Sequence, residues 1–332
     1  MRSEYIIREA KASDKLKILS LFDVVFTKQQ RAKASKRGDE YWNWKYVYSP
    51  FGRSKLFVAE VEGDIIAASA LWAWKFHFKG RGINALQPCD TVVHKNFRRK
   101  GIFKKMNIAR INYAKDRRCD IIYNFPNSKS LPGYLNMGWN FTGKVRWRVK
   151  ILKPLKVFQS YFKNKQSEKI LLEGEYRLTK DKISFCFSQR DNCNIQTFYS
   201  NEYIKWRYFN HPSRTYGLIN LNSSTNINNN FAIFTLSKKH KMTEMVVTDI
   251  FSTDRAAFAE ILSEISTTGR KLGVSYIALM EKHELSGFDY ISRGFIPKKE
   301  KNLVSLCMNE DLENVVNNMN SWNMNAGMHD SI

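Results

Sequence analysis

The sequence is short of acidic residues, of pairable cysteines and of long apolar runs, and each shortage removes a class of protein. Its 31 Asp and Glu stand against 54 Lys and Arg, leaving a formal net charge of +23 and a pI near 9.8. A field of that sign gathers polyanions, anionic membrane surfaces or phosphorylated small molecules, and does not choose among them. The five cysteines, Cys89, Cys119, Cys186, Cys193 and Cys307, are scattered, with no CxxC pair and no His at ligand spacing. Neither a disulfide framework nor a zinc site is expected from that pattern, no metal is called for, and a reducing cytoplasm suits it. The N-terminal MRSEYIIREAKASDK carries charge where an export signal needs its apolar core, and no apolar run approaches the roughly 18 to 20 residues of a spanning helix. The expectation is a soluble protein, peripheral to a membrane at most.

What is present suits a folded chain of two domains. The 332 residues leave room for two cores, and 43% hydrophobic with 14% aromatic content excludes general disorder. Tyr5 to Arg8 reads as a first strand, and Ser13 is placed to cap a helix with Leu16, Leu19, Phe22 and Phe26 at helical spacing. A basic loop, Lys28 to Arg37, leads to an aromatic helix over Glu40 to Tyr46 that ends before Ser49-Pro50. Lys55 to Val61 and Asp64 to Phe78 read as strands joined at Glu62-Gly63, and Ile83 to Val93 as the strand after them. Later come a strand over Asp120 to Phe125, a helical piece over Leu131 to Asn136 and a strand over Asn140 to Leu152.

The stretch with chemistry in it is Asp90 to Met106, DTVVHKNFRRKGIFKKM. A β-branched run, Thr91, Val92 and Val93, enters a cationic loop ending at Gly101, and a helix follows from Ile102 to about Lys115. Open backbone N–H groups, a helix N-terminus and the charges of Arg98, Arg99 and Lys100 together suit a phosphate. The same residues would also serve as a solvated basic turn.

Lys150 to Lys169 is lysine-rich and interrupted at Pro154, so it reads as a linker with an amphipathic, basic stripe of Ile151, Leu152, Leu155, Val157, Phe158, Tyr161 and Phe162. The second half echoes the first. EYWNWKYVYSP (Glu40 to Pro50) and EYIKWRYFNHP (Glu202 to Pro212) share Glu, Tyr, Trp, a basic residue, Tyr and Pro in register. GYLNMGW (Gly133 to Trp139) is echoed by FDYISRGF (Phe288 to Phe295), with Tyr134 matching Asp289 or Tyr290 according to register. A duplicated domain follows, with boundaries at 1–152, a linker 153–172, a second copy 173–310 and a tail 311–332, of which Asn323 to Ile332 reads as frayed. In the second copy the strand Met245 to Phe251 leads to Ser252-Thr253-Asp254-Arg255 and a helix to Leu272. Asp254 at that helix start repels a pyrophosphate, so the second copy is expected to keep the fold and lack the cofactor.

These residues resemble the GNAT superfamily of acyl-CoA-dependent N-acyltransferases, in tandem. Arg98-Arg99-Lys100-Gly101-Ile102-Phe103 resembles the family's R/Q-x-x-G-x-G/A pyrophosphate loop, and Asn127, Tyr134 and Gly138-Trp139 resemble its later Asn, Tyr and Gly-aromatic signature. The resemblance implies an α/β fold with a mixed, mostly antiparallel sheet flanked by helices in each of two domains. It implies acetyl-CoA as acyl donor, with Thr91, Val92 and Val93 on the pantetheine arm, Arg98, Arg99, Lys100, Gly101, Ile102 and Phe103 on the pyrophosphate, and Asn127 assisting. Direct attack of a primary amine on the thioester, stabilised by a strand N–H, would leave Tyr134 to protonate the departing thiolate. Asp90 is the candidate base, with His94 and Glu60 as alternatives. Phe103 departs from the family's small residue.

The implied partner is a small-molecule amine, such as a nucleotide-linked amino sugar, with contact to anionic surfaces possible and no nucleic acid expected. Two alternatives stay open on the sequence: a Fem-type transferase that uses aminoacyl-tRNA, favoured by the +23 charge, and a non-catalytic nucleic-acid or membrane-surface protein on the same fold.

Overall fold

The computed structural model describes residues 4–25, 38–160, 167–179, 194–221, 230–239, 242–282 and 285–329. The predicted basic loop over Lys28 to Arg37, and Phe26, Tyr161, Phe162, Cys186 and Cys193, lie outside these residues. Strands and helices are numbered in chain order. The chain divides into two compact units, the first Met1–Lys144, Asp191–Phe198 and Lys301–Trp322, the second Val145–Arg190, Tyr199–Glu300 and Asn323–Ile332. The units are therefore not the sequential pieces 1–152 and 173–310 expected from the repeat.

The first unit is built on β1 (Ile6–Glu9), β2 (Lys55–Val61), β3 (Asp64–Phe78) and β4 (Arg81–Val93), paired antiparallel in that order. Both connecting hairpins turn through residues of positive φ, Glu62-Gly63 (50° and 85°) and Lys79-Gly80 (46° and 72°). Consecutive positive φ values match the twist of the flanking strands, which is why a glycine closes each turn. β3 is buried along almost its whole length, so it reads as a continuous apolar run, as strands covered on both faces do. One cover is α1 (Lys15–Val25), whose Ile18, Leu21 and Phe22 pack on Val58, Ile65, Ala68 and Val92. The other is α3 (Ile102–Asp116), whose Ile102 and Met106 pack on Phe57, Ala59, Ala67 and Leu71. Ser13 does not cap α1. It lies in a 3-10 turn, Ala12–Asp14, in which Asp14 accepts from the backbone N–H of Lys11 at 2.7 Å.

β5 (Ile121–Asn124) pairs parallel with β4, and its other edge is covered by β13 (Ile296–Cys307), where Val304 lies opposite Asn124 and Cys307 opposite Ile121. β8 (Ile195–Thr197) pairs with β3 at Phe76 and His77. β14 (Trp322–Asn323) begins with Trp322, fully buried in this unit against Phe76 and Tyr123, with its indole N–H donating to Val316 O at 2.9 Å.

In the second unit the C-terminal part of β6 (Asn140–Ile151) pairs antiparallel with β12 (Tyr276–Met280). β12 runs parallel to β11 (Met242–Phe251), and β11 pairs antiparallel with β10 (Phe231–Lys239). β9 (Tyr216–Asn220) and β7 (Ser167–Lys169) pair with β10. α7 (Arg255–Lys271) is capped by Asp254, whose Oδ1 accepts from Ala257 N at 2.9 Å, and buries Phe258, Ile261, Leu262 and Ile265. α8 (Gly287–Ser292) follows β12 and carries the buried Tyr290. Pro154, read as an interruption, is the first residue of α5 (Pro154–Ser160), where a missing N–H costs nothing.

The repeated segments fold alike. α2 (Asp39–Trp42) runs into a π turn at Asn43–Val47, and α6 (Asn201–Ile204) into a π turn at Lys205–Phe209. Each π turn buries a Trp, a cation and a Tyr: Trp44, Lys45 and Tyr46 in the first, Trp206, Arg207 and Tyr208 in the second. A register shift falls in the neighbouring β4 and again in β11, close to Asp90 and Asp249 respectively.

Asp249 is 1% exposed, and Tyr199 donates its hydroxyl to Oδ1 at 2.5 Å. Burial pushes its carboxyl up to about 7, against the Tyr199 hydrogen bond and the charges of Lys282 and Arg207. Because the folded pKa is raised, the stability it contributes is complete below the unfolded value near 4 and is lost as pH rises through about 7. Asp249→Asn is therefore expected to flatten the fall in melting temperature between pH 5 and pH 8, measured by calorimetry. An unchanged slope in the variant would show that Asp249 does not carry it. Tail residues of this unit pack on the same cluster: Asn325 Nδ2 donates to Tyr199 Oη at 2.7 Å, and Arg207 Nε to Gly327 O at 2.8 Å. Asn323 to His329, expected to fray, is buried for that reason.

Candidate active site

The site is assembled where β4 leaves the sheet. Opposite Ser69 of β3, β4 carries two residues, Asp90 and Thr91, between the pairs Ala70–Cys89 and Ala68–Val92. This is a bulge, and Asp90 takes a φ of 48° within it. Past it, His94 N–H returns to Ile66 O at 2.8 Å. By the alternation of a strand, the neighbouring Val93 N–H then points away from β3, toward the β5 side.

The parallel ladder between β4 and β5 is confined to Ala85–Ile121 and Leu86–Ile122. β4 continues seven residues beyond its last pair while the opposite edge of β5 is held by β13, so the ladder between the two strands ends before the bulge. A splayed pair of parallel strands exposes backbone N–H and C=O groups on both lips, and an extended ligand can bond to them as a strand would.

The loop after β4 delivers the chain to α3 with two residues in the left-handed region, Arg99 at φ 63° and Gly101 at φ 77°. Gly101 is the N-cap and offers no side chain, the first intrahelical bond returning from Lys105 N to Gly101 O at 3.1 Å. The N–H groups of Ile102, Phe103 and Lys104 precede that bond, so the helix itself gives them no acceptor. No acidic residue lies in this first turn. Arg98 bonds back through Nε to Val93 O at 3.2 Å, and Tyr5 donates to Lys100 O at 2.9 Å, which ties the loop to β1 and β4. The Phe103 side chain turns away from the loop: its ring meets the Tyr134 ring edge-on at 5.4 Å and lies against Gly133. The bulk that departs from the family pattern therefore leaves the Phe103 N–H open.

Tyr134 lies on α4 (Leu131–Leu135) and is 2% exposed. Its hydroxyl accepts from Asn124 Nδ2 at 2.7 Å. Burial pushes its pKa up, while the Arg110 charge and the Asn124 bond pull it down. At neutral pH it holds its proton.

Other predicted residues have different partners. Asp90 Oδ2 accepts from Lys45 Nζ at 2.7 Å and from Tyr46 Oη at 2.5 Å, with both ion-pair side chains almost wholly buried. A carboxylate so engaged anchors the π turn to the bulge, and that geometry argues against its predicted service as a base. Glu60 is taken by Arg8 at 2.6 Å. His94 stays at the strand end, its Nδ1 buried. Asn127 Oδ1 accepts from the N–H groups of Lys129 and Ser130, each at 3.0 Å, and so caps the turn into α4. Thr91 Oγ1 shares a hydrogen bond with Ser69 Oγ at 2.7 Å.

Arg110, Asn107, Asn124 and Lys45 were not singled out from the sequence. The signal for Arg110 was available: Ile102, Met106, Asn107, Arg110 and Ala114 form the buried stripe of α3, and a charged residue in an apolar stripe needs a reason.

A bulged fourth strand, a parallel splay and a glycine-capped helix N-terminus stand together over residues that match one family, described as Acetyltransferase (GNAT) domain, across 6–142. Residues 6–142 match a GNAT acetyltransferase domain. By that domain the chain is an acyltransferase. No curated protein matches the sequence. Among solved structures the chain is similar to a GCN5-related N-acetyltransferase from Kribbella flavida, at 11% identity and TM-score 0.59, covering 92% of this chain and 72% of that one. It is similar to Saccharomyces cerevisiae N-myristoyltransferase with bound myristoyl-CoA, at 10% identity and TM-score 0.60, covering 92% and 80%. A putative acetyltransferase from Pyrococcus horikoshii matches over 98% of this chain and 96% of its own, at 12% identity and TM-score 0.56. At these identities the likeness is one of fold. Among the described residues there is no helix long and apolar enough to cross a membrane.

Proposed function

We propose that the protein is an acetyl-CoA-dependent N-acetyltransferase acting on the primary amine of a small molecule, with one acyl-CoA site, in the first unit. The observation that carries this is the run from the β4 bulge to the α3 N-terminus. It offers outward strand N–H groups for an extended arm and, at its end, three open helical N–H groups among Arg98, Arg99 and Lys100 for a pyrophosphate. Val93 N–H on the open lip of β4 is the donor for a thioester carbonyl, and Tyr134 holds the proton for a leaving sulfur. The bulge and the end of β5 carry polar side chains, Thr91 and Asn124, which suits a short acyl group better than a long alkyl chain. Asp90, the residue first assigned as base, serves in this scheme to fix the bulge through Lys45, and the amine sheds its proton to solvent.

The second unit supports a duplicated origin with loss of the site. It repeats the α-to-π segment, the register shift beside an acid and the parallel strand pair, but Asp254 occupies the helix start, and its carboxylate opposes a phosphate. A compartment supplying acyl-CoA, such as the cytoplasm, follows from the donor. The basic loop also suits an anionic acceptor, for which a nucleotide-linked amino sugar is one example.

Calorimetry with acetyl-CoA is expected to give one site per chain, and a thermal-shift panel to give stabilisation by acetyl-CoA and CoA. Stabilisation by tRNA or anionic vesicles, with none by either CoA species, would overturn the proposal.

A further inference from the structure

Arg110 occupies a place where a guanidinium is costly. It lies in the third turn of α3, is 1% exposed, and burial pulls its pKa down from the ordinary arginine value. Nη1 donates to Ser69 Oγ at 2.6 Å and to Thr91 Oγ1 at 3.3 Å, and Nη2 donates to Asn107 Oδ1 at 3.0 Å. All three acceptors are neutral, and no carboxylate is paired with it among the described residues. Its Nε, and the Nδ2 of neighbouring Asn107, are buried without a hydrogen-bond partner. A buried cation with no counter-ion costs several kcal/mol in typical proteins, so its position calls for an anion that is present only part of the time.

The Arg110 guanidinium lies 5.8 Å from the centre of the Phe103 ring, which meets the Tyr134 ring at 5.4 Å, and the ionisable groups whose charge bears on it are the Tyr134 hydroxyl, on α4, and the Cys89 thiol, on β4. From α3 and β4, Arg110 and Cys89 in turn bear on Tyr134, whose hydrogen-bond donor is Asn124 on β5. Tyr134 therefore has a hydrogen-bond donor on its oxygen and a positive charge near it, and is itself only 2% exposed. Both arrangements favour the phenolate that remains after the hydroxyl gives up its proton.

We propose that Arg110 is a positioning residue for acyl transfer, which holds the Tyr134 hydroxyl in place and offsets the charge left on it when it protonates the departing CoA sulfur. This rests on the acyl-CoA function proposed above. In the step, the amine nitrogen forms its bond to the acyl carbon, the carbon–sulfur bond breaks with its electron pair going to sulfur, and the Tyr134 proton joins that pair. The proton that the nitrogen sheds passes through water and restores the phenol, so the products are amide and free CoA thiol. Arg110 bears the transient phenolate charge and touches neither reactant.

The test uses the full-length protein, acetyl-CoA and hydroxylamine as a surrogate amine, with CoA thiol release as the rate and calorimetry for acetyl-CoA affinity. Arg110→Met is expected to slow release by about tenfold or more while acetyl-CoA affinity stays within about threefold, and Arg110→Lys to recover most of the rate. In a Tyr134→Phe background the same Arg110→Met change is expected to cost less than about twofold, because the residue acts through the hydroxyl. Arg110→Gln, which keeps a donor near Ser69 without the charge, replaces the Met variant if that one does not fold. Equal losses in the wild-type and Tyr134→Phe backgrounds, or a Lys variant as slow as the neutral one, would overturn the proposal. A wild-type protein that neither binds acetyl-CoA nor releases CoA would instead overturn the acyl-CoA function itself.

Discussion

Replacing Gly101 by Asp is expected to weaken acetyl-CoA binding by about a hundredfold. The backbone there has a φ of 77°, which a residue with a Cβ adopts at a cost. The new carboxylate would face the same three N–H groups proposed to hold the pyrophosphate. Strain and like-charge repulsion at a helix terminus together amount to about 3 kcal/mol, or about two decades in affinity. Gly101→Asn separates the two effects, because Asn tolerates the left-handed region and carries no charge. The Asn variant is expected to lose about tenfold or less by calorimetry. If the Asp variant binds acetyl-CoA as the wild type does, the pyrophosphate site lies elsewhere.

The second large effect is expected at Tyr134. Tyr134→Phe keeps the ring contacts with Phe103 and Trp139 and removes only the proton donor. Transfer to an amine should slow by about 10²- to 10³-fold, within the range of a lost general acid. Acetyl-CoA affinity should hold to within about threefold, since the hydroxyl acts on the leaving group and not on the bound ground state. Because burial raises the Tyr134 pKa, the wild-type rate should show no loss from this group across the neutral and mildly alkaline range. A Phe variant with wild-type single-turnover rate would make Tyr134 a packing residue.

Much of the first unit's order could be read along the chain because its contacts are local. β2 and β3 begin and end where the sequence places them, since Glu62-Gly63 fixes the turn and the apolar runs fix the strands. The α-to-π segments were visible as a repeat of Trp, cation and Tyr, although nothing in the pattern distinguished a π turn from an ordinary helical one. The turn into α3, proposed above to hold a pyrophosphate, was legible as a turn for the same reason: helix start, glycine and charges are neighbours in sequence.

What could not be read depends on residues far apart. No periodicity announces that Val304 pairs with Asn124 or that Thr197 lies opposite Phe76. Asp90 looked like a free carboxylate because its partner Lys45 lies 45 positions earlier. Asn127 looked like a ligand residue, whereas its side chain is occupied by the turn that follows. Asn325 and Gly327 looked like part of a loose end because Tyr199 and Arg207, which hold them, lie 126 and 120 positions earlier.

The placement of β13 sets a schedule for synthesis. β5 has one edge beside β4 over two residue pairs only, and its other edge waits for residues 304–307. A ribosome that has completed the first 150 residues has thus made the whole stretch from Asp90 to Met106 but not the strand that covers the far edge of β5. The nascent first unit carries an unpaired strand edge for the time taken to add more than half of the chain, and such an edge invites pairing with other chains. Closure over such separations is slow in entropic terms. Competence to hold an acyl donor should arise late, as a property of the finished polypeptide, and a fragment ending near residue 152 should aggregate when the intact chain does not.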